Sequence, residues 1–353
     1  MNQPMKRRGR AAVVYNPVKT DAERLARLVS YAADSHGWES VSWFETSVAD
    51  PGGGQARQAV AEGAEMVVAC GGDGTVRAVA AGLRDSGAAL GIVPQGTGNL
   101  LARNLKLPLN QEYAIEVAFG GQDDEIDICT AELTRADGTT EQLDFVVMAG
   151  VGIDAQMIIN TDDQMKKRFG FLAYAVAVIK SLRGGNRIKL LHRMDGGKEY
   201  RTSVHSVIVG NCGELVGNVA LLPDAKANDG ILDVVAMRPR GVFGWAQIAL
   251  RLADQMVQKL RHKIMRRDVR VTGTDQDVKA LQYVTGTQFA VELQAPELFE
   301  IDGDEVGEVT AFTVTVDHLG LTVRVETPAP QEEPGEAASD TDVVPGVGIE
   351  RDE

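Results

Sequence analysis

A carboxylate inside a glycine-rich loop is the feature of this sequence that most clearly points to chemistry. Asp73 stands in the string Gly71-Gly72-Asp73-Gly74-Thr75, which follows a Val-rich apolar run and precedes apolar residues at helical spacing. A second loop of similar design, Gln95-Gly96-Thr97-Gly98-Asn99, follows the next apolar run. Glycine lets a backbone come close to a ligand, and free N–H groups at a helix start attract anions. The two loops therefore predict a phosphate-binding site.

The negative charge of Asp73 restricts the kinds of reaction that such a site could catalyse. A carboxylate repels a bare phosphate, unless a divalent cation lies between them or the carboxylate accepts the proton of an attacking hydroxyl. Both roles belong to phosphoryl transfer. The alternative is that Asp73 caps the helix that follows it, as Asp often does near a helix N-terminus. A single loop does not separate the two interpretations, and the second loop beside it favours the functional one.

The elements around the loops alternate between strand and helix. This order implies parallel strands whose carboxyl ends open on one edge of a sheet, so both loops should lie at that edge. After Ile126 the alternation gives way to strand-like runs such as LDFVVMA and TAFTVTV. The chain therefore begins with an α/β domain and continues with a part rich in strands.

Composition excludes several classes of protein. The 353 residues carry 36 Lys and Arg against 50 Asp and Glu, a net charge of −14, which argues against a protein that coats nucleic acid. The length predicts two domains. Three widely spaced cysteines exclude a disulfide framework and favour a reducing cytoplasm. No apolar run reaches the roughly 20 residues that a membrane-spanning helix needs.

Charge is distributed unevenly along the chain. Residues 328–353 are acidic, contain four prolines and no aromatic residue, and are predicted to form a disordered tail. Residues 251–270 are instead rich in Lys and Arg, and apolar residues recur there every three or four positions. This pattern predicts an amphipathic helix, which either packs on a core or contacts anionic lipid.

The strings CGGDGTVRAVAAGL and LGIVPQGTGNLLARNL resemble the diacylglycerol-kinase-like lipid kinases of bacteria, relatives of the sphingosine kinases and, more distantly, of the NAD kinases. Further motifs extend the resemblance over about residues 11–325. Asn16-Pro17 resembles the family's phosphate-contacting turn, and Thr46 resembles its threonine near the nucleotide. The segments LLPDAKANDGILDVV and IDGDEVGE are similar to its Asp-Gly-x-Leu segment and its Asp-Gly-Glu motif.

The resemblance implies an α/β fold in which an N-terminal parallel α/β nucleotide-binding domain is followed by a C-terminal antiparallel β-rich domain. We expect a basic extension at 1–10 and an ATP-binding domain at 11–125 that is completed by strands from 300–327. A β-rich lipid-substrate domain at 126–299 and the acidic tail at 328–353 make up the rest. ATP is expected in the cleft between the two domains.

The resemblance also assigns residues to roles. It makes Asp304 the proton acceptor, with Asp302 and Asp73 organising magnesium and the reacting hydroxyl. Asp304 is one methylene shorter than the family's usual Glu, and Glu305 beside it leaves the register open. Without the other motifs, the string DGDE would be interpreted as an acidic β-turn.

Nucleotide contacts are expected, on the same resemblance, from Asn16, Pro17, Thr46, Gly71, Gly72, Asp73, Gly74, Thr75, Gly96, Thr97, Gly98 and Asn99. A structural magnesium is expected at the Asp229 side chain and the carbonyls of Lys226 and Ile231, because oxygen ligands suit that ion. A plain Asp-Gly turn is the alternative there.

Together these features predict an ATP- and Mg-dependent lipid kinase, with diacylglycerol as the first candidate acceptor and phosphatidic acid as product. The expected partners are the lipid substrate and a membrane surface, without nucleic acid, and a homodimer is left open. We expect a cytoplasmic protein in peripheral contact with the inner face of the membrane. The alternatives are a kinase of another substrate, sphingosine-like or NAD-kinase-like, and an inactive nucleotide- or lipid-binding protein.

Overall fold

The computed structural model describes residues 8–152, 187–215, 219–239 and 280–327. The basic segment at 251–270, the acidic tail at 328–353 and most of the N-terminal extension lie outside the described residues. Within the described ranges, no helix is long and apolar enough to cross a membrane.

The first part of the chain alternates between strand and helix until its last two helices, which follow each other directly. Its elements are β1 (Arg8–Tyr15), α1 (Ala22–Ser35), β2 (Trp38–Glu45), α2 (Gly53–Ala61), β3 (Ala64–Gly71), α3 (Asp73–Leu83), β4 (Ala89–Pro94), α4 (Leu100–Asn104) and α5 (Gln111–Gly120). All pairs among the four strands are parallel, and their order across the sheet is β2-β1-β3-β4.

Helices cover both faces of this parallel sheet. Residues 66–70 of β3 are completely buried, as expected for a strand enclosed on two sides. On β1, Val14 packs in the same cluster as Val79 of α3, whereas Val13 packs with Leu25 of α1 and Ile115 of α5. Because successive side chains of a strand point to opposite faces, each strand contributes residues to two separate hydrophobic cores.

Strands make up nearly all of the regular structure in the described residues of the second part. They are β5 (Gln122–Thr134), β6 (Thr140–Phe145), β7 (Met148–Val151), β8 (Ile188–Met194), β9 (Tyr200–Val204), β10 (Ser206–Gly210), β11 (Glu214–Leu215), β12 (Val219–Ala220), β13 (Leu232–Met237), β14 (Leu281–Gly286), β15 (Gln288–Ile301) and β16 (Asp304–Val325). The strands β5 to β15 pair only in antiparallel register among the described residues. Their core includes Phe145, Phe299 and Phe312. The predicted fold class is confirmed.

The last strand, β16, runs through both parts. It pairs in antiparallel register with β15 and β5, and near its end Val323 pairs in parallel register with Leu90 of β4. One continuous sheet therefore joins 14 of the described strands. The register of the β5–β16 pair shifts between Asp317 and Leu321, where the ladder is interrupted.

Candidate active site

The carboxyl ends of β1 to β4 lie side by side because the parallel register aligns them. Tyr15, the last residue of β1, pairs with Glu45 of β2 and with Cys70 of β3, and Gly71 pairs with Pro94 of β4. All residues expected to contact a nucleotide follow or end these strands: Asn16, Pro17, Thr46, Gly71, Gly72, Asp73, Gly74, Thr75, Gly96, Thr97, Gly98 and Asn99.

The two glycine loops are in direct backbone contact. The N–H of Gln95 donates to the carbonyl of Gly71 over 2.8 Å, and a Cβ on Gly96 would lie only 2.9 Å from the Cα of Gly72. Asn99 closes the second loop on itself, because its side chain accepts from the N–H of Gly96 and donates to the carbonyl of the same residue. The absence of a side chain at Gly96 is thus what lets the loops meet.

A matched pair of glycine substitutions tests this contact. Gly96→Ala is expected to lower the free energy of unfolding by about 1–3 kcal/mol, since the new methyl group meets backbone that must move. Gly72→Ala should leave stability close to that of the unaltered protein, because its Cβ would lie at an ordinary 3.5 Å from the nearest atom. Urea denaturation measures both, and an equal loss from the two changes would contradict the packing.

The Asp73 carboxylate ties the first loop to the second. It accepts the N–H of Asn99 over 2.8 Å and that of Leu100 over 2.5 Å, and these residues begin α4. Asp73 therefore caps the helix of the other loop, although the alternative interpretation of the sequence placed it as a cap of its own helix. The space beside Gly98 is filled by the same carboxylate, since a Cβ there would lie 2.7 Å from Oδ2 of Asp73. Burial raises the pKa of Asp73, the two N–H bonds oppose the rise, and the charge of Asp304 adds to it.

The turn after β1 reaches the same edge. The Asn16 side chain accepts the N–H of Val18 over 2.9 Å, which is the geometry of an Asx turn. The Thr20 hydroxyl donates to the Gln95 side chain over 2.6 Å, so this turn is joined to the second glycine loop. Thr46 is 9% exposed, and its backbone N–H donates to the carbonyl of Tyr15, the last residue of β1.

The string DGDE forms the hairpin turn between β15 and β16. Ile301 pairs with Asp304, and the two residues between them have positive φ, +49° at Asp302 and +91° at Gly303. Asp-Gly is a favoured pair for such a two-residue turn. The acidic β-turn of the alternative interpretation is therefore present, and it lies against the first glycine loop.

Asp302 and Asp304 lie in very different surroundings. Asp302 is 3% exposed, and its carboxylate accepts the N–H groups of three residues, Val146, Val147 and Met148. Burial raises its pKa to about 6, against the opposing effects of the Arg77 charge and the three N–H bonds. The carboxylate is thus enclosed by the backbone of residues 146–148 and is not exposed at the surface.

Asp304, unlike Asp302, points toward solvent and the first glycine loop. Its side chain is 52% exposed, its Oδ2 accepts from Arg77 over 2.9 Å, and a Cβ on Gly74 would lie 2.8 Å from the same oxygen. Glu305 is the next residue of β16 and pairs with Glu300. Because successive side chains of a strand point to opposite faces, only one of Asp304 and Glu305 can face the loop, and it is Asp304.

Two residues of this region were given no role by the sequence. Arg77 lies one helical turn after Asp73, a spacing that puts both on one face of α3 and could have pointed to it. Asp127 is completely buried and accepts the N–H of Leu319 over 2.8 Å and that of Gly230 over 2.7 Å. It carries no comparable signal, because it is one of several acidic residues in β5 and nothing in the sequence separates it from the others.

The segment expected to hold a structural magnesium is an Asp-Gly turn. The Asp229 side chain accepts the N–H of Ile231 over 3.1 Å, and Gly230 has φ of +71°. Burial raises the pKa of nearby Asp233 to about 6, and the charges of Asp229 and Asp224 add to the rise. Within the described ranges, no group of three or more His, Cys, Asp or Glu side chains is arranged to hold a metal ion.

Comparison with known proteins finds matches for both parts of the chain. The diacylglycerol kinase catalytic domain family matches residues 10–131, and the YegS C-terminal NAD kinase beta sandwich-like domain family matches residues 146–325, half of the chain.

Three individual relatives are between 18% and 33% identical to this chain over the residues that match. A diacylglycerol kinase of Staphylococcus carnosus is 25% identical over 65% of this chain and 73% of its own length. A probable YegS-like lipid kinase of Xanthomonas euvesicatoria is 33% identical over 50% of this chain and 57% of its own length. A crystal structure of a putative diacylglycerol kinase from Bacillus anthracis superposes with a TM-score of 0.67 at 18% identity, over 92% of this chain and 98% of that one. Among the curated relatives, the matched part is as little as 52% of the relative's length.

Proposed function

The chain belongs to the family that joins a diacylglycerol kinase catalytic domain to a YegS-type C-terminal domain, and we propose that it transfers the γ-phosphoryl group of ATP to the hydroxyl of a lipid. Diacylglycerol is the proposed acceptor and phosphatidic acid the product, and the reaction depends on magnesium. The names of two relatives, a diacylglycerol kinase and a probable lipid kinase, support this choice of substrate class.

The observation that carries the proposal is the position of Asp304. Its half-exposed carboxylate lies against Gly74 of the first glycine loop, and within the described residues only its Oδ2 accepts a hydrogen bond. The other oxygen, Oδ1, is available to accept the proton of a hydroxyl that approaches the loops. A positioned carboxylate of this kind is a general base.

The glycine loops would hold the phosphates of ATP. The helix α3 begins at Asp73, so its first N–H groups have no carbonyl acceptor within the helix and point toward the loop region. Such groups bind phosphate, and the partial positive charge of the helix start adds to the attraction. Asp73 contributes by holding the second loop against the first, and Asp302 by fixing the turn that carries Asp304.

Magnesium bound to the phosphates would neutralise the charge that develops on the transferred group. Asp73 would organise this ion together with Asp302, and any direct contact of Asp73 with it would have to be shared with the two backbone N–H groups that its oxygens already accept. For a second, structural magnesium we propose the Asp229 side chain with the carbonyls of Lys226 and Ile231, an all-oxygen set that suits the ion.

A lipid acceptor also requires contact with a membrane surface. We assign this contact to the basic residues of 251–270, on the cytoplasmic face of the membrane, because each basic residue near anionic lipid contributes roughly 1 kcal/mol. Sedimentation with anionic vesicles at low salt, reversed by high salt, would support the assignment, and sedimentation that is insensitive to salt would contradict it.

The function is tested by incubating the purified chain with ATP labelled in the γ-phosphate and with three acceptors in separate reactions: diacylglycerol dispersed in detergent, sphingosine and NAD. We expect label in phosphatidic acid, dependent on magnesium. Label in NADP would show that the acceptor is the soluble substrate NAD. Label in sphingosine phosphate would show that the lipid acceptor is sphingosine and not diacylglycerol. Binding of ATP without transfer to any acceptor would favour an inactive binding protein.

A further inference from the structure

The position of Arg77 accounts for how Asp304 is held over the glycine loop. Arg77 is the fifth residue of α3, and its two terminal nitrogens donate to two points of one hairpin. One reaches the carbonyl of Ile301 over 3.0 Å, and the other reaches Oδ2 of Asp304 over 2.9 Å. The two acceptors flank the Asp302-Gly303 turn, so a single guanidinium bridges the start and the end of that turn.

This contact is specific to an arginine. The guanidinium is a planar fork with its donors in fixed directions, so two simultaneous hydrogen bonds determine both the distance and the orientation of what it binds. Lysine carries the same charge but presents a single nitrogen, which cannot hold the carbonyl and the carboxylate in this way. The Arg77 side chain is 18% exposed, whereas that of Asp304 is 52% exposed. Partial shielding of Arg77 from water makes the contact firmer than that of an ordinary surface ion pair.

The hairpin turn has a second attachment on its other side. Asp302 accepts three N–H groups from residues 146–148, as described above. Without Arg77, that attachment would fix the base of the turn but leave the Asp304 side chain free to rotate away from Gly74. The ion pair with Arg77 is a hydrogen-bonded link between Asp304 and α3, the helix whose second residue, Gly74, lies beside the same carboxylate.

We propose that Arg77 is a positioning residue for phosphoryl transfer, which holds Oδ2 of Asp304 so that Oδ1 faces the acceptor hydroxyl. This inference rests on the proposed function, because it assigns Arg77 a part in the same reaction. Arg77 acts through Asp304 and touches neither ATP nor the acceptor. Its loss therefore reduces turnover without changing the concentration of ATP needed for half-maximal rate.

The expected result for Arg77→Gln is a fall in kcat of about 10- to 100-fold, the size of effect that follows from misplacing a reacting group by about 1 Å. The KM for ATP stays unchanged, and Arg77→Lys recovers only part of the rate. Arg24→Gln is the matched control, because Arg24 forms an exposed ion pair with Glu112 over 3.0 Å, and it should leave kcat unchanged. A rise in KM for ATP with kcat unchanged would overturn the proposal, since it would mean that Arg77 binds phosphate directly.

A double-substitution cycle shows whether Arg77 acts through Asp304. In a chain that already carries Asp304→Asn, Arg77→Gln should cause little further loss of kcat, because residues that act as one unit are not additive. Full additivity would overturn the proposal. So would a loss of melting temperature in Arg77→Gln with kcat per folded molecule unchanged, because the contact would then serve stability alone.

Hydrogen exchange of the peptide that spans residues 301–305 is measured without an acceptor substrate. It can therefore contradict the role of Arg77 independently of whether the proposed function is correct. Faster exchange in Arg77→Gln than in the unaltered chain is expected. Unchanged exchange overturns the positioning role even if the chain phosphorylates lipid. Faster exchange in a chain that phosphorylates no lipid supports the role of Arg77 in holding the turn and overturns the proposed function.

Discussion

Asp304→Asn is expected to lower turnover by about 10²- to 10⁴-fold, the usual contribution of a general base. The amide has the same shape as the carboxylate, and its oxygen still accepts the hydrogen bond from Arg77, but it does not take up a proton. Because the side chain is 52% exposed, the change should have little effect on the melting temperature. Initial rates at saturating ATP and diacylglycerol measure the effect.

The neighbouring carboxylate provides the control for Asp304. Glu305 is exposed and projects from the opposite face of β16, so Glu305→Gln should leave the rate close to that of the unaltered enzyme. The sequence left the register of the motif open between these two residues. If Glu305→Gln abolished transfer and Asp304→Asn did not, the base would have to be assigned one residue further along the strand.

Asp73→Asn is expected to reduce both the rate and the stability. An asparagine has only one acceptor oxygen, so one of the N–H groups of Asn99 and Leu100 would face an NH₂ group and lose its partner. An unmade bond at a buried group costs about 1–3 kcal/mol of unfolding free energy. Release of the second loop would also displace the groups proposed to bind phosphate, and a displacement of about 1 Å is enough for a loss near 10²-fold in rate.

The same substitution at an ordinary helix cap is the control for Asp73. Asp21 caps α1 by accepting one N–H, that of Arg24, and asparagine caps a helix as well as aspartate does. Asp21→Asn should therefore leave both stability and rate unchanged. Equal losses of stability from the two changes would mean that the bonds to α4 are not what makes Asp73 sensitive.

The alignment of the two glycine loops could be predicted from the sequence because it depends on local order alone. Each loop follows a strand of a parallel sheet, and parallel strands place their carboxyl ends at one edge. The contact of Gln95 with Gly71 follows directly from that arrangement. The fold class could be predicted for the same reason, since strand–helix alternation and runs of strands are visible along the chain.

The contacts of the acidic residues were not predictable, because they join distant parts of the chain. Arg77 and Asp304 are separated by 227 positions, and no periodicity of apolar residues connects them. The motif does not indicate that Asp302 is buried while Asp304 is exposed, because both are aspartates of one turn. Asp73 likewise looks like a cap for its own helix, since a sequence signal describes only the helix in which it occurs.

The pairing of Val323 in β16 with Leu90 in β4 has a consequence for how the protein is made. A ribosome completes β1 to β4 long before it reaches β16, so the outer edge of β4 leaves the exit tunnel without its eventual neighbour. At about 5–20 residues per second, a strand edge that waits for a partner so much later is open to wrong pairing for roughly ten seconds or more. Because Asp304 opens that same late strand, the proposed general base also joins the glycine loops only after β16 has been synthesised.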